Sequence, residues 1–311
     1  MSARYILGRL LRALLTLLFV ITFVFGIVHF VPGDPVDTIL SDQASFEERE
    51  AMRRALHLDE SLPQQYARFL SSIADGTLGY SFRRSGVTVA SMIADVMPST
   101  VILTLSSLLL AWAIALPLGA IAATLRGSLA DRLAMAFAAL GLAIPNIWLG
   151  PLLILVFAVN LRFLPIPGDD SSGFLGLILP SITLGTSLAA ILTRQIRGSL
   201  GDVLGELYIV AARARGLGRL TILVKHALRN ALLPVMTLGA AQLGALLSGA
   251  IVAEKIFERD GLGTLFLEAF FARDLPVVQG TVLLIASIYI GVNLLLDLAY
   301  GLVDRRASVA R

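Results

Sequence analysis

The 311-residue chain contains no cysteine. That removes a disulfide framework, a thiolate metal site and a cysteine nucleophile together. Charge is also scarce. Asp, Glu, Lys and Arg make up 15% of the residues, against about 25% in a soluble domain. Lysine occurs only as Lys225 and Lys255, followed by His226 and Ile256. A phosphate-binding loop needs Lys before Ser or Thr at the end of a glycine turn, so this chain carries none. The histidines are His29, His57 and His226. They fall at different depths or in different compartments, so no histidine-built metal site is expected. No Gly-x-Ser-x-Gly pattern lies at membrane depth with a partner His in another apolar run, which excludes an intramembrane Ser/His dyad. The chain therefore reads as a protein without enzymatic machinery of its own.

Apolar side chains are what the sequence has in excess. They account for 57% of residues, and the mean hydropathy of +0.83 marks an integral membrane protein. The basic pI comes from arginine. Near a membrane arginine sets topology, and no basic patch with interleaved aromatics points to nucleic acid.

Arg4, Arg9 and Arg12 precede an apolar run, Ala13 to Val31. At about 1.5 Å per residue it nearly crosses a ~30 Å hydrocarbon core. A cleaved signal would have a shorter apolar run and a small-residue cleavage site. His29-Phe30-Val31-Pro32-Gly33-Asp34-Pro35 follows instead, so residues 1–31 read as a tail and an uncleaved first span. Residues 32–98 form a polar insert. Ser45 and Glu48 have capping-box spacing before a short helix to Leu56. A second amphipathic helix, Gln64 to Ala74, places Tyr66, Phe69, Leu70 and Ile73 on one face.

Five more spans follow within residues 99–303. The second runs Pro98 to Thr124, with Pro98 at its start and Pro117 as a kink. The third is Leu133 to Val159, interrupted at Pro145-Asn146 and Pro151, and the fourth Phe174 to Leu192. The fifth is Leu232 to Ala253 after Pro234, and the sixth Gly280 to Val303, with a polar loop Glu254 to Gln279 between them. Asp304-Arg305-Arg306 opens a tail, residues 304–311. The small-residue rows Ala240/Gly244/Ser248 and Ala241/Ala245/Gly249 read as helix-packing faces.

Six spans put both termini on one side. The segments on that side hold most of the 25 basic residues: Arg4, Arg9, Arg12, Arg126, Arg132, those between Arg194 and Arg229, and Arg305, Arg306 and Arg311. Their acids are only Asp131, Asp202, Glu206 and Asp304. The positive-inside rule makes that side cytoplasmic.

The stretch Arg194 to Pro234 is polar and positive between apolar runs, so it is expected to project into water. Glu206 to Arg215 reads as a helix with Leu207, Val210, Ala211 and Ala214 on one side. Gly216 and Gly218 allow a sharp turn, and Thr221 to Asn230 reads as a second helix. A short helix between two turns is a lever, and an ordinary basic loop is the competing reading.

Val210-Ala211-Ala212 with Gly216 resembles the Glu-Ala-Ala-x-x-x-Gly signature of ABC importer permeases, with Val210 in the place of Glu. Tyr208 through Ala212-Arg213-Ala214-Arg215-Gly216-Leu217 is similar to the loop of the dipeptide/oligopeptide branch. Motifs spread along the chain resemble the same branch: Phe30 to Pro35, Leu56-His57-Leu58-Asp59 to Tyr66, and Gly76 to Ser81. Further along they are His226 to Ala231, Asp260-Gly261-Leu262-Gly263, and Arg273 to Gly280.

The resemblance implies an all-α type I ABC importer permease of the bacterial or archaeal inner membrane. It implies that Tyr208, Ala211, Ala212, Arg213, Ala214, Arg215, Gly216 and Leu217 couple to an ATPase within a loop 194–231. Implied partners are a second, related permease in a heterodimer, two cytoplasmic ATPase subunits carrying ATP and Mg, an extracytoplasmic substrate-binding protein, and lipid. The implied cargo is di- or oligopeptide, with nickel chelates, glutathione or another small solute as alternatives inside the family. A self-sufficient secondary transporter is the alternative outside it; that would call for inverted repeats. Asn146, Gln242, Asn293 and Asp297 are polar groups within spans, open to roles in a translocation pathway or in interhelical bonding.

Overall fold

The computed structural model describes residues 3–30, 33–40, 44–169 and 173–303. Among the described residues there is no β-strand, only an isolated bridge between Tyr80 and Thr88. In chain order the helices are α1 (Ala3–Phe30), α2 (Pro35–Ile39), α3 (Phe46–Ala55), α4 (Leu62–Ala74) and α5 (Val89–Thr124). Next come α6 (Leu129–Ala143), α7 (Asn146–Leu153) with a π-helical extension Ile154–Asn160, α8 (Leu175–Leu204) and α9 (Leu207–Ala214). Last come α10 (Arg219–Thr221), a π-helical segment Ile222–Ala227, α11 (Leu228–Ala241), α12 (Leu243–Ile256), α13 (Leu262–Phe271) and α14 (Leu275–Val303).

Four helical stretches are long and apolar enough to cross a bilayer: Ile6–His29, Val89–Thr124, Leu175–Leu204 and Leu275–Leu298. Two bent pairs bring the number up to six when each is counted as one span: Leu129–Ala143 with Asn146–Asn160, bent by 102°, and Arg219–Ala241 with Leu243–Ile256, bent by 44°. A helix the size of α6 reaches only about 22 Å, short of a ~30 Å core.

The chain divides into two compact units, Met1–Thr100 with Asp260–Arg311, and Val101–Arg259. In the first, α1 and α13 pack on α14. Val28, Val89, Met92, Ile93, Leu262 and Val277 form its core. Gly280 lets α14 reach α5, since a Cβ there would stand 2.5 Å from Val89 Cγ1. The helix α4 rests on α1: Phe69 is buried with Ile21 and Leu283, and the Tyr66 hydroxyl lies 2.8 Å from Thr22 Oγ1. Leu70, expected on the same face, is exposed. Ser45 and Glu48 close the capping box of α3, and the Ser45 N–H holds the Glu48 carboxyl below its usual range. Hydrogen bonding from Arg68 does the same for Glu60.

Three motifs far apart in sequence meet in this unit. The Asp274 carboxylate, buried, accepts from Ser81 Oγ, from Phe82 N at 3.0 Å and from Arg83 N at 3.4 Å. Arg83 donates to the Thr38 carbonyl at 3.1 Å, and Thr38 Oγ1 donates to the Ala272 carbonyl at 3.0 Å. Gly33 (φ +119°) lies under Arg273, whose guanidinium occupies the place of a Cβ.

In the second unit α8 is central. Leu184, Leu188, Leu192, Ile196 and Leu200 are buried at every fourth position, a row that winds about 160° round the helix from one end to the other. The helices α6, α7, α11 and α12 all pack on α8. The rest of α5 approaches it at backbone distance. A Cβ on Gly185 would sit 2.8 Å from the Ser107 carbonyl oxygen, and one on Gly119 would sit 2.6 Å from Ile196 Cβ.

Several boundaries differ from the sequence reading. The helix α5 starts at Val89, because Thr88 caps it through the Ser91 N–H at 3.2 Å, and it runs unbroken through Pro98 and Pro117. Arg194 to Leu204 is not a loop but the end of α8, since Ile196 and Leu200 continue its buried stripe. Pro234 lies inside α11 and opens nothing. The stretch Glu254 to Gln279 is mostly helical, holding the apolar α13 and the start of α14. The small-residue rows pack only in part within this chain: Ala241, Ala245 and Ser248 are exposed, Ala240 and Gly244 are half-buried, and Gly249 meets Leu184, while Leu246, Ala250 and Ala253 are buried. Val31, Pro32 and Asp304-Arg305-Arg306 lie outside the described residues.

Replacing Asp274 with Ala strands three donors, at roughly 1–3 kcal/mol for each one left without water or partner. The variant should unfold at a clearly lower temperature in detergent, and Asp274→Asn should lose less. Equal melting of Asp274→Ala and the unmodified chain would contradict this role.

Candidate functional site

The helix α9 is bounded at both ends by backbone geometry. Glu206, extended at φ −68° and ψ 147°, is its N-cap residue. At the other end Gly216 has φ +79°, a region that glycine enters without penalty. Gly216 N bonds the Arg213 carbonyl at 2.9 Å and Leu217 N bonds the Ala212 carbonyl at 3.3 Å. This pair of bonds is a Schellman ending. The next helix begins at Gly218, extended at φ −64° and ψ 148°. It runs without a break from Arg219 through the π-helical segment to Ala241, so Thr221 to Asn230 is not a separate helix.

The faces of α9 are well separated. Ile209 and Ala212 are buried in a cluster with Ala123, Leu200, Ile222, Ala227 and Ala231. The row Leu207, Val210, Ala211 and Ala214 faces outward, with Leu207 84% and Val210 52% exposed. Leu217 and Leu220 are exposed beyond the turn, as are Arg213, Arg215, Arg219, Lys225 and Arg229. An eight-residue helix thus shows an apolar ridge, with arginines beside it, to its surroundings. Of the residues assigned to this loop from sequence, Tyr208, Ala211, Arg213, Ala214, Arg215, Gly216 and Leu217 are exposed and Ala212 is buried.

Three ties hold the surroundings of α9. Asp131, in the first turn of α6, accepts from Arg197 of α8 twice, at 2.5 Å from Nε and 2.9 Å from Nη2. It also accepts from the Gly127 N–H at 2.9 Å. Ser199 Oγ donates to the Ala231 carbonyl at 2.8 Å, tying α8 to α11. The Tyr208 hydroxyl accepts from Asn230 Nδ2 at 2.9 Å. Sequence reasoning missed these ties. A signal was available for the first: Asp131 is one of very few acids among the basic segments on its side. Nothing in the sequence pairs Tyr208 with Asn230.

The four polar span residues separate into two pairs. In the second unit Asn146 starts α7 at the 102° bend and Gln242 lies at the 44° bend, both half-buried. The Asn146 amide nitrogen lies 3.9 Å from where a Cβ of Gly249 would be, on α12. In the first unit Asn293 donates to the Tyr289 carbonyl of its own helix at 2.8 Å, and Asp297 forms an ion pair with Arg9 of α1. Those two groups are engaged in helix structure and helix pairing. Among the described residues no three metal-binding side chains converge.

Comparison with known proteins gives the chain a context. Residues 115–309 match the family model "Binding-protein-dependent transport system inner membrane component". Residues 2–104 match the corresponding N-terminal model. The chain is 38% identical to the dipeptide transport system permease protein DppB of Escherichia coli, over 97% of this chain and 98% of that one. It is 40% identical to the glutathione transport system permease protein GsiC of Pectobacterium atrosepticum, over 96% and 97%. A solved chain of the MetNI methionine ABC transporter, in an inward-facing form, superimposes with a TM-score of 0.56 at 19% identity, covering 68% of this chain and 96% of that one. At that identity the likeness concerns the fold, which is that of a type I ABC importer permease.

The Asp131–Arg197 pair should show in thermal unfolding. Asp131→Ala and Arg197→Ala should each lower the melting temperature, and the double variant should lose less than the sum of the two, the mark of a direct pair. Additive losses would mean that the two side chains act independently.

Proposed function

The chain belongs to the family of binding-protein-dependent transport system inner membrane components, and on that premise we propose that it is the translocating subunit of an ATP-driven importer of di- and oligopeptides. The observation that carries the cargo reading is similarity along nearly the whole chain to permeases named for dipeptide and for glutathione transport. Glutathione is itself a short peptide, so both names point to one chemical class.

The proposed division of labour follows from what this chain lacks and what it exposes. With no phosphate-binding loop, ATP and Mg belong to partner subunits, two of them, in the cytoplasm. The apolar ridge of α9, unpartnered at Leu207 and Val210, is the surface that such a subunit would cover. An eight-residue helix is too short to hold itself. It is fixed by the Gly216 turn and by Ile209 and Ala212 beneath it. The arginine bias around it supports a cytoplasmic location for α9 and both termini.

A second permease subunit completes the pathway, and residues 32–98 meet the extracytoplasmic binding protein. Alternating access then follows: ATP binding on the partners displaces the two α9 helices, the spans open outward and accept cargo, and hydrolysis returns them. The bends at Asn146 and Gln242 favour those two residues over Asn293 and Asp297 as groups beside the route.

Gly216 gives the test. No atom lies within 4 Å of an added Cβ, so any penalty there is conformational, about 1–2 kcal/mol for a residue forced to positive φ. In proteoliposomes containing the partner subunits, Gly216→Val should hydrolyse ATP with little uptake of labelled dialanine or glutathione. Gly216→Asn, which tolerates that backbone region, should retain most uptake. Full coupling in Gly216→Val would count against α9 as the coupling element.

A further inference from the structure

The turn between α9 and the helix that follows it contains two glycines, Gly216 and Gly218, with open space around both. Such a turn is a compliant joint. A push on α9 transmitted through this joint alone would be absorbed there and would not reach the 219–241 helix. The structure supplies a tie that bypasses the joint.

Tyr208 stands in the first turn of α9. Its hydroxyl accepts from Asn230 Nδ2 at 2.9 Å and donates to the His226 carbonyl at 3.4 Å. A phenol can do both at once, with one O–H and free lone pairs. His226 and Asn230 are four residues apart, so they lie one above the other on a single helix face. They also bracket the change from the π-helical segment Ile222–Ala227 to α11. A π-helical turn is a place where a helix commonly yields. Tyr208 therefore grips the following helix at the C-terminal end of the π-helical segment, where the α-helix resumes. Below it, Ile209 is fully buried in the cluster that holds Ile222, Ala227 and Ala231, so the polar grip acts beside an apolar contact between the same elements.

We propose that Tyr208 and Asn230 are positioning residues for energy coupling: their hydrogen bond makes α9 and the 219–241 helix move as one body. The proposal rests on the reading of α9 as the ATPase-facing element. It also changes the role expected of Tyr208. Its hydroxyl is turned to its own chain, and the partner is left to Leu207, Val210 and Ala211.

The test uses the complex recovered with the full chain from its own membranes, reconstituted in proteoliposomes. Tyr208→Phe removes one hydroxyl and keeps the ring. Asn230→Leu keeps the volume and removes the amide. Both should retain capture of the ATPase and ATP turnover. Uptake of labelled dialanine or glutathione per ATP hydrolysed should fall about three- to tenfold, the scale of one or two ordinary hydrogen bonds. The double variant should be no worse than either single one, and Asn230→Gln should recover part of the coupling. A Tyr208→Phe variant that loses the ATPase while Asn230→Leu keeps it would overturn the proposal, because the hydroxyl would then serve the partner. Wild-type coupling in both variants would overturn it too. Failure of the unmodified complex to capture an ATPase and to take up either cargo would instead overturn the functional reading on which the proposal rests.

Discussion

At Gly185 a methyl group would stand 2.8 Å from the Ser107 carbonyl oxygen, and at Gly119 it would stand 2.6 Å from Ile196 Cβ. The helices α5 and α8 are thus held at a separation that only glycine permits, and the second unit depends on that approach. In lipid, apolar surface alone gives helices no reason to associate, so close packing of small residues has to supply it. With α5 against one side, α8 presents its row of Leu184, Leu188, Leu192, Ile196 and Leu200 to the core. The helices α6, α7, α11 and α12 gather on it. The same row continues past the apolar segment to Leu200, where it becomes the floor on which Ile209 and Ala212 sit. One helix, α8, therefore serves both the packing of the spans and the seating of α9.

Polar chemistry is distributed according to what water can reach. Within the long helices several hydroxyls return to their own backbone, as Thr183 does to Leu179 at 2.9 Å and Thr193 to Ala189 at 2.7 Å. Two buried carboxylates each take several donors. Asp131 takes a two-point contact from Arg197 and an amide, and Asp274 takes a hydroxyl and two amides. Each fixes a turn to a helix far away in sequence. Exposed apolar surface outside the spans is the exception to this order, and on α9 Leu207 and Val210 stand exposed beside Arg213 and Arg215. That combination is costly for an isolated chain, and the proposed docking of a partner on α9 would remove the cost.

Much of this was legible in the sequence, for identifiable reasons. Six apolar runs, the capping box at Ser45, the breaks at Pro145 and after Arg215, and the face of α4 at Tyr66 and Phe69 follow from local rules of period, cap and turn. The extent of helices was less legible. The helix α8 runs on to Leu204 because a buried leucine and isoleucine stripe passes under its arginines, and arginine frequency alone hides that. Pro98 and Pro234 lie inside helices that tertiary packing carries past them. Side-chain pairs separated by many residues, Ser81 with Asp274, Asp131 with Arg197, and Tyr208 with Asn230, leave no trace in periodicity, since each partner is unremarkable by itself. The exposed ridge of α9 was legible as a face but not as to which way it pointed. Leu207 and Val210 look like core residues until Ile209 and Ala212 are seen to occupy that place.

The central claim is that this chain works only as one subunit of an ATP-driven assembly. The most direct measurement is purification of the tagged chain from its own membranes, with identification of the chains that accompany it and an uptake assay after reconstitution. Recovery of an ATPase and a second permease, with cargo uptake that requires ATP, is the result this account predicts. Recovery of the chain alone, active with an ion gradient and no ATP, would contradict it and would make the protein a self-sufficient transporter.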